Sequence, residues 1–241
     1  MEDFAGLHGS RIARLRGLYA IVGDEDPIGH ARLAVEGGAG VVQVRMKTSP
    51  AGVVLDAARE IVAISRGRAL VLVNDRADLA VLAGADGVHV GEDDLPAEEA
   101  RRIVGPALLV GRSTRTLDEA RAAIAAGADH VGFGPMFSTR SKEIAAAPRG
   151  LPALREAAGA LGAPVVAIGG ITLENVADVA AAGAAAAAII EDLLSRGDVR
   201  ERAALLATRF AEGAGDFNDA ILPIGASYWA NLVEHVLAKQ A

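Results

Sequence analysis

The sequence predicts an α/β fold, a single (β/α)8 TIM barrel with an N-terminal helix and a short C-terminal extension. Its 241 residues are close to the ~250 typical of this barrel. Eight short apolar runs alternate with amphipathic segments, a pattern typical of parallel strands joined by helical crossovers. A Gly-Ala pair also precedes every second run, with intervals of 46, 43 and 56 residues between the glycines. An open doubly wound sheet is the alternative, but it gives no reason for four such similar double units.

The predicted strands follow from the apolar runs, and glycines just past the helix ends supply the left-handed cap conformation. The runs are Leu18–Val22, Val41–Val44, Leu70–Val73, Val88–Val90, Leu108–Val110, Val131–Phe133, Val165–Ile168 and Ile189–Ile190. Residues 2–16 are predicted to form a helix over the bottom of the barrel. We therefore assign residues 1–212 to the barrel with its N-terminal helix. Residues 213–241 form an appendage, for which packing on the barrel is favoured over a partner-binding helix.

The composition excludes several classes of protein. A net charge of -7 disfavours nucleic-acid binding, which needs clustered positive charge. No cysteine is present, which excludes disulfides and thiolate metal sites and fits a reducing cytoplasm. The longest apolar run, Val179–Ile190, has 12 residues, whereas a membrane-spanning helix needs roughly 20. We expect a cytoplasmic protein with neither a membrane nor a nucleic-acid partner, and the sequence leaves open whether it forms a homo-oligomer.

Polar residues follow the second strand, where a barrel of this type carries its chemistry. Gln43, Arg45 and Lys47 alternate along the chain, so all three should face the barrel mouth. Packing alone would favour apolar residues on that face of a buried strand. The pattern therefore predicts a binding site for an anionic ligand.

Two carboxylates follow the next two strands. Asp75 comes after Asn74 at the end of the third strand, and Asp94 lies beyond the fourth. Oxygen ligands from neighbouring strand ends suit Mg²⁺, which usually shares them with substrate phosphates. Equally, Asp94 could cap the helix that starts near Leu95-Pro96. His89, inside the fourth strand, is more readily explained as a structural, hydrogen-bonding histidine than as an acid–base catalyst.

The later strand ends predict a phosphate site. The fifth ends near Ser113, and the sixth runs into a hydroxyl-rich loop with two basic residues, Ser138–Lys142. Such loops bind phosphate through N–H and O–H donors and a point charge. The last two strands end in Gly169-Gly170 and Ile190-Glu191, where barrels often hold a phosphate on backbone amides.

These strand ends together resemble the thiamine phosphate synthase family over roughly residues 17–210. Each segment is weak alone, but six in order at different strand ends are specific. They are Leu18-Tyr19, Gln43-Val-Arg-Met-Lys47, Asn74-Asp75, Gly87-Val-His-Val-Gly91 with Asp94-Leu-Pro96, Gly134-Pro-Met-Phe137 with Thr139 and Lys142, and Ala167-Ile-Gly-Gly-Ile171.

The resemblance implies a transferase that joins aminopyrimidine (hydroxymethylpyrimidine) diphosphate to thiazole phosphate, releasing pyrophosphate. It implies Mg²⁺ as cofactor on Asp75 and Asp94. The residues implied to bind the pyrimidine diphosphate are Gln43, Arg45, Lys47, Asn74, Ser113 and Lys142, among which Arg45, Lys47, Ser113 and Lys142 are the predicted catalytic residues. Those implied to hold the thiazole phosphate are Thr139, Ser141, Gly170, Ile190 and Glu191.

Two features leave alternatives open. The family usually has a small hydroxyl residue where Glu191 stands, and a carboxylate there would repel a bound phosphate. A non-catalytic, phosphate-ligand-binding paralogue is therefore one alternative. A thiazole tautomerase-like isomerase is another, as the nearest relative of the family. That isomerase needs an acid–base group to move protons. The histidine that it carries in the sixth loop is replaced here by Pro135, so this alternative is less favoured.

Overall fold

A computed structural model describes residues 4–138 and 147–215 of the chain. The strands are β1 (Gly17–Val22), β2 (Val41–Val44), β3 (Leu70–Asn74), β4 (Gly87–Val90), β5 (Leu109–Thr114), β6 (His130–Phe133), β7 (Val165–Ile168) and β8 (Ala186–Ile189). The helices are α1 (Phe4–Arg14), α2 (Pro27–Glu36), α3 (Ala51–Ser65), α4 (Ala77–Ala83), α5 (Ala97–Val104), α6 (Leu117–Ala125), α7 (Gly150–Ala160), α8 (Val176–Ala181) and α9 (Glu191–Leu194). A further helix, α10, covers residues 199–215.

The eight strands form a closed parallel barrel in sequence order, which confirms the predicted fold class. Each strand pairs with the next, and β8 closes the ring on β1, with Gly17 opposite Ala186. Because all strands run in one direction, their carboxyl ends meet at one mouth. Side chains from distant parts of the sequence are thereby brought to a single site.

Most of the predicted strands are confirmed to within one residue at each end, but two differ. β5 runs on to Thr114, because the polar residues after Val110 still pair with β6. β8 covers Ala186–Ile189, so the prediction of a strand at Ile189–Ile190 was wrong in position. Alanine has a low intrinsic preference for strands. Its pairing with β7 and β1 nevertheless holds this segment in the barrel.

Alternation along the strands separates two cores. One residue set fills the barrel interior, including Tyr19, Leu72 and Val166. Their strand neighbours, such as Leu18 and Val71, face outward and pack beneath the helices. Towards the mouth the inward positions become polar, and this places the polar residues of the strand ends inside the barrel rather than around it.

The N-terminal helix closes the opposite end of the barrel, as predicted. Ile12 and Leu15 pack against the interior core. Arg11 donates hydrogen bonds to Asp86 and to the carbonyl of Ala107, which precede β4 and β5. The N-terminal helix therefore covers the amino-terminal end of the barrel interior.

At the other end of the chain, α10 continues through residues 213–215, the start of the predicted appendage. The rest of that segment lies outside the described residues, so the division at residue 213 stays a prediction. Within the described part of the chain, no helix has the length and apolar character needed to cross a membrane.

Candidate active site

A cavity of about 360 Å³ opens at the carboxyl ends of the strands. Nine of the predicted site residues contribute to its wall. They are Gln43, Arg45, Lys47, Asn74, Asp75, Ser113, Gly170, Ile190 and Glu191. Asp94 lies next to the wall, against Gly91. The remaining three predicted residues, Thr139, Ser141 and Lys142, lie outside the described residues.

The side of the cavity formed by β2 carries an amide and two cations. Gln43 is only 3% exposed, and its side-chain nitrogen has no hydrogen-bond partner within residues 4–138 and 147–215. The backbone N–H of Arg45 continues the ladder to Val22 beyond the strand end, so the chain leaves β2 in a fixed direction. A buried donor left without a partner costs about 1–3 kcal/mol. This cost favours a ligand that supplies the missing acceptor.

Lys47 and Asn74 both reach Asp75. The Lys47 Nζ lies 3.3 Å from Asp75 Oδ2, and the side-chain amide of Asn74 donates to the same oxygen. The other carboxylate oxygen accepts from the backbone N–H of Gly91 at 3.2 Å. Asp75 itself has a φ of 60°, a left-handed conformation that aspartate tolerates better than most residues. These contacts hold its carboxylate at the rim of the cavity.

Asp75 and Asp94 form a carboxylate pair. Partial burial raises the pKa of Asp94, and the hydrogen bond and negative charge of Asp75 raise it further, against the opposing charge of Lys47. Two neighbouring carboxyl groups repel each other when both are charged, so a divalent cation beside them would be favoured, and their oxygens are hard ligands of the kind such a cation takes. No group of three or more metal-ligating residues occurs in the described part of the chain. Two protein carboxylates could hold a cation whose other ligands are water and phosphate oxygens, as is usual for Mg²⁺.

The segment that carries Asp94 is held by Arg112, a residue that the sequence analysis did not single out. Its guanidinium donates to the carbonyls of Gly91 at 2.6 Å, Glu92 at 2.9 Å and Leu95 at 2.9 Å. Helix α5 begins at Ala97 with no side-chain hydrogen bond at its N-cap, so the alternative that Asp94 caps this helix was wrong. Three bonds to one guanidinium fix the loop instead.

Two histidines lie on the opposite side of the interior. His89 lines the cavity, and its Nε2 is 3.1 Å from the Oγ of Ser113. His130 lies deeper and is fully buried. Burial lowers the pKa of His130 to about 4, although the charge of Asp129 acts in the opposite direction. The His130 imidazole is therefore neutral near pH 7. Sequence reasoning missed it, because a histidine at the start of a strand carries no motif.

The wall formed by β7 and β8 is made mainly of backbone. Gly170 has a φ of 66°, and a Cβ there would lie 2.6 Å from the carbonyl oxygen of Ser138, so only glycine fits.

Charged residues surround the start of α9. Glu191 is exposed and begins the helix, while the adjacent Asp192 is buried and bound by Arg202 with contacts as short as 2.6 Å. Arg196 also lines the cavity, 3.9 Å from Asp192. Because Arg202 already neutralises Asp192, the more exposed Arg196 guanidinium remains accessible to a ligand.

Fold and site define a (β/α)8 barrel with a cation-lined, amide-bearing cavity at its mouth and a carboxylate pair beside it. Residues 18–193 match the family model described as thiamine monophosphate synthase. The chain is 63% identical over 209 residues to a thiamine-phosphate synthase from Anaeromyxobacter dehalogenans (strain 2CP-C), covering 87% of this chain and 94% of that protein. A thiamine-phosphate synthase from Myxococcus xanthus (strain DK1622) is 50% identical over 184 residues, 76% of this chain and 84% of the relative.

A solved structure agrees. The thiamine phosphate pyrophosphorylase from Pyrococcus furiosus superposes with a TM-score of 0.76 at 33% identity, covering 83% of this chain and 98% of that one. The chain belongs to the thiamine monophosphate synthase family.

Proposed function

We propose that this protein is a thiamine phosphate synthase, a transferase that joins aminopyrimidine diphosphate to thiazole phosphate and releases pyrophosphate. The observation that carries the proposal is that four polar side chains line a single cavity. Gln43, Arg45 and Lys47 lie on β2 and just beyond its end, and Ser113 lies on β5, yet all four line one cavity in a chain that belongs to this family.

The first step is departure of the diphosphate from the pyrimidine methylene carbon. Negative charge accumulates on the leaving oxygens, and Arg45 and Lys47 are placed to stabilise it. Mg²⁺ bound by Asp75 and Asp94 would add positive charge at the same oxygens. The buried amide of Gln43 is suited to orienting the pyrimidine, because its unpaired N–H group needs an acceptor. Lys142 remains a predicted catalytic residue on the same grounds of charge.

The second step is capture of the pyrimidine cation by the thiazole nitrogen. We place the thiazole phosphate against Gly170 and the backbone of Ile190 and Glu191, with Thr139 and Ser141 as predicted further donors. The glycine allows a close approach, and the start of α9 offers backbone N–H groups. No general base is needed for this step, because the attacking nitrogen carries a lone pair.

The experiment is direct. Purified protein is mixed with both substrates and Mg²⁺, and thiamine phosphate is followed. Product that depends on both substrates supports the proposal, whereas absence of product at every substrate concentration refutes it. The same assay decides the paralogue alternative, which predicts binding of the pyrimidine diphosphate without turnover. The tautomerase alternative is not favoured, because Pro135 lines the cavity at the position concerned and cannot carry a proton.

Mg²⁺ as cofactor, a cytoplasmic location and a homo-oligomeric state stay predictions. A titration of activity against Mg²⁺ after treatment with a chelator tests the first, cell fractionation the second, and light scattering the third.

A further inference from the structure

Three adjacent strands meet at one level of the barrel interior. His89 on β4 stands opposite Gly111 on β5, and Gly111 stands opposite His130 on β6. Gly111 has no side chain, and a Cβ there would lie 2.2 Å from His130 Nε2 and 2.4 Å from His89 Nδ1. The two imidazoles therefore occupy the space above the glycine, with ring centroids 5.5 Å apart.

A series of hydrogen-bond contacts leads from these two histidines towards the mouth of the barrel. His130 Nε2 lies 3.4 Å from His89 Nδ1, and His89 Nε2 lies 3.1 Å from Ser113 Oγ. Ser113 is two residues further along β5, so its side chain points to the same interior one layer nearer the cavity, whose wall it helps to form. The series therefore ends at the Ser113 hydroxyl, on the cavity wall.

The direction of these hydrogen bonds follows from the buried end. His130 Nδ1 is buried and has no partner within the described residues. A neutral imidazole carries one N–H and one bare nitrogen. A buried N–H without an acceptor is rarer in proteins than an acceptor without a donor. The proton of His130 is thus better placed on Nε2, where it can be donated to His89 Nδ1.

The rest of the series is then fixed. His89 accepts at Nδ1, so its own proton lies on Nε2 and is donated to Ser113 Oγ. Ser113 accepts that bond, and its hydroxyl hydrogen is left to point into the cavity. We propose that His130 is a positioning residue, which acts through the tautomer of His89 to present the Ser113 hydroxyl as a donor to an acceptor atom of the pyrimidine diphosphate. The part that concerns the substrate rests on the proposed function.

The first test needs no substrate. In ¹⁵N-labelled protein, the shifts of the ring nitrogens report which one carries the proton. We expect Nε2–H on both His89 and His130 in the wild type, and a mixture of His89 tautomers in His130→Leu. Protons on Nδ1 of both rings would overturn the proposal, whatever the activity of the enzyme. Val166→Ala is the matched control, because it removes atoms from the same interior core but no hydrogen bond.

The second test is a double-mutant cycle on thiamine phosphate formation. We expect His130→Leu to lower kcat by about tenfold, as the loss of one oriented hydrogen bond would. In a Ser113→Ala background the same change should have little effect. His130→Gln, which restores a donor, should recover most of kcat. An equal loss in both backgrounds would mean that His130 only supports the fold and would overturn the proposal. An inactive wild type would instead count against the proposed function and leave the tautomer test decisive here.

Discussion

Replacing His130 with leucine should change how the stability of the protein depends on pH. In the folded state burial lowers the pKa of His130 from 6.5 to about 4. The unfolded chain therefore binds a proton at this residue in a range where the folded chain does not. Stability linked to His130 is fully present above pH 6.5 and is lost as the pH falls towards 4.

The size of the effect follows from the shift. One pKa unit corresponds to 1.36 kcal/mol, so lowering the pH from 7 to 4 should cost the wild type about 3 kcal/mol through this group alone. Asp94, whose pKa is raised, acts with the opposite sign in this range. The difference between wild type and variant is therefore the quantity to measure, because it cancels the other groups.

Urea unfolding at a series of pH values from 4 to 7 provides that measurement. The free energy of unfolding of His130→Leu should fall less steeply on acidification than that of the wild type. Val166→Ala, a core change without a titrating group, should lose stability but keep the wild-type slope. If His130→Leu and the wild type show the same slope, His130 is not held neutral by burial and the reasoning fails.

Three other substitutions test the remaining parts of the site. Asp75→Asn should raise the Mg²⁺ concentration needed for half-maximal activity by about tenfold, since one of two charged ligands is lost; an unchanged Mg²⁺ requirement would count against the metal assignment. Arg112→Gln should shift the Mg²⁺ dependence in the same direction without touching substrate, because the loop that carries Asp94 loses bonds to Arg112; Arg121→Gln, on the exposed face of α6, is its control. Glu191→Ser should lower the KM for thiazole phosphate by about two- to fivefold, as expected for removing an exposed like charge, and a KM that does not fall would show that Glu191 points away from the phosphate.

Sequence reasoning identified the barrel and the residues on the mouth side of the early strands, because both depend on alternation. Alternation predicted one shared face for Gln43, Arg45 and Lys47. Only Gln43 lies within β2, which ends at Val44, but the N–H of Arg45 still bonds to the carbonyl of Val22, and all three residues line the cavity. The eighth strand was misplaced for the opposite reason. Alanine shows little preference for strands, and its pairing comes from neighbours distant in the sequence.

Residues that act through other residues were harder to find. Arg112 holds backbone carbonyls, so its partners carry no side-chain pattern that a sequence could display. His130 meets His89 only because Gly111 lies between them in the register of three strands. The role of Asp94 was ambiguous for a related reason, since an aspartate before proline fits a helix start and a carboxylate pair equally well until α5 is seen to begin at Ala97.

Two neighbouring residues on β5 connect the cavity wall with the loop that carries Asp94. Ser113 faces the cavity, while Arg112, one residue earlier, faces outward and donates hydrogen bonds to the backbone of the loop that carries Asp94. The pleat of a single strand thus sets the spacing between the hydroxyl and the carboxylate pair. Because both contacts start from adjacent residues of a strand that is paired on both sides, the positions of the hydroxyl and of the loop depend on the same backbone.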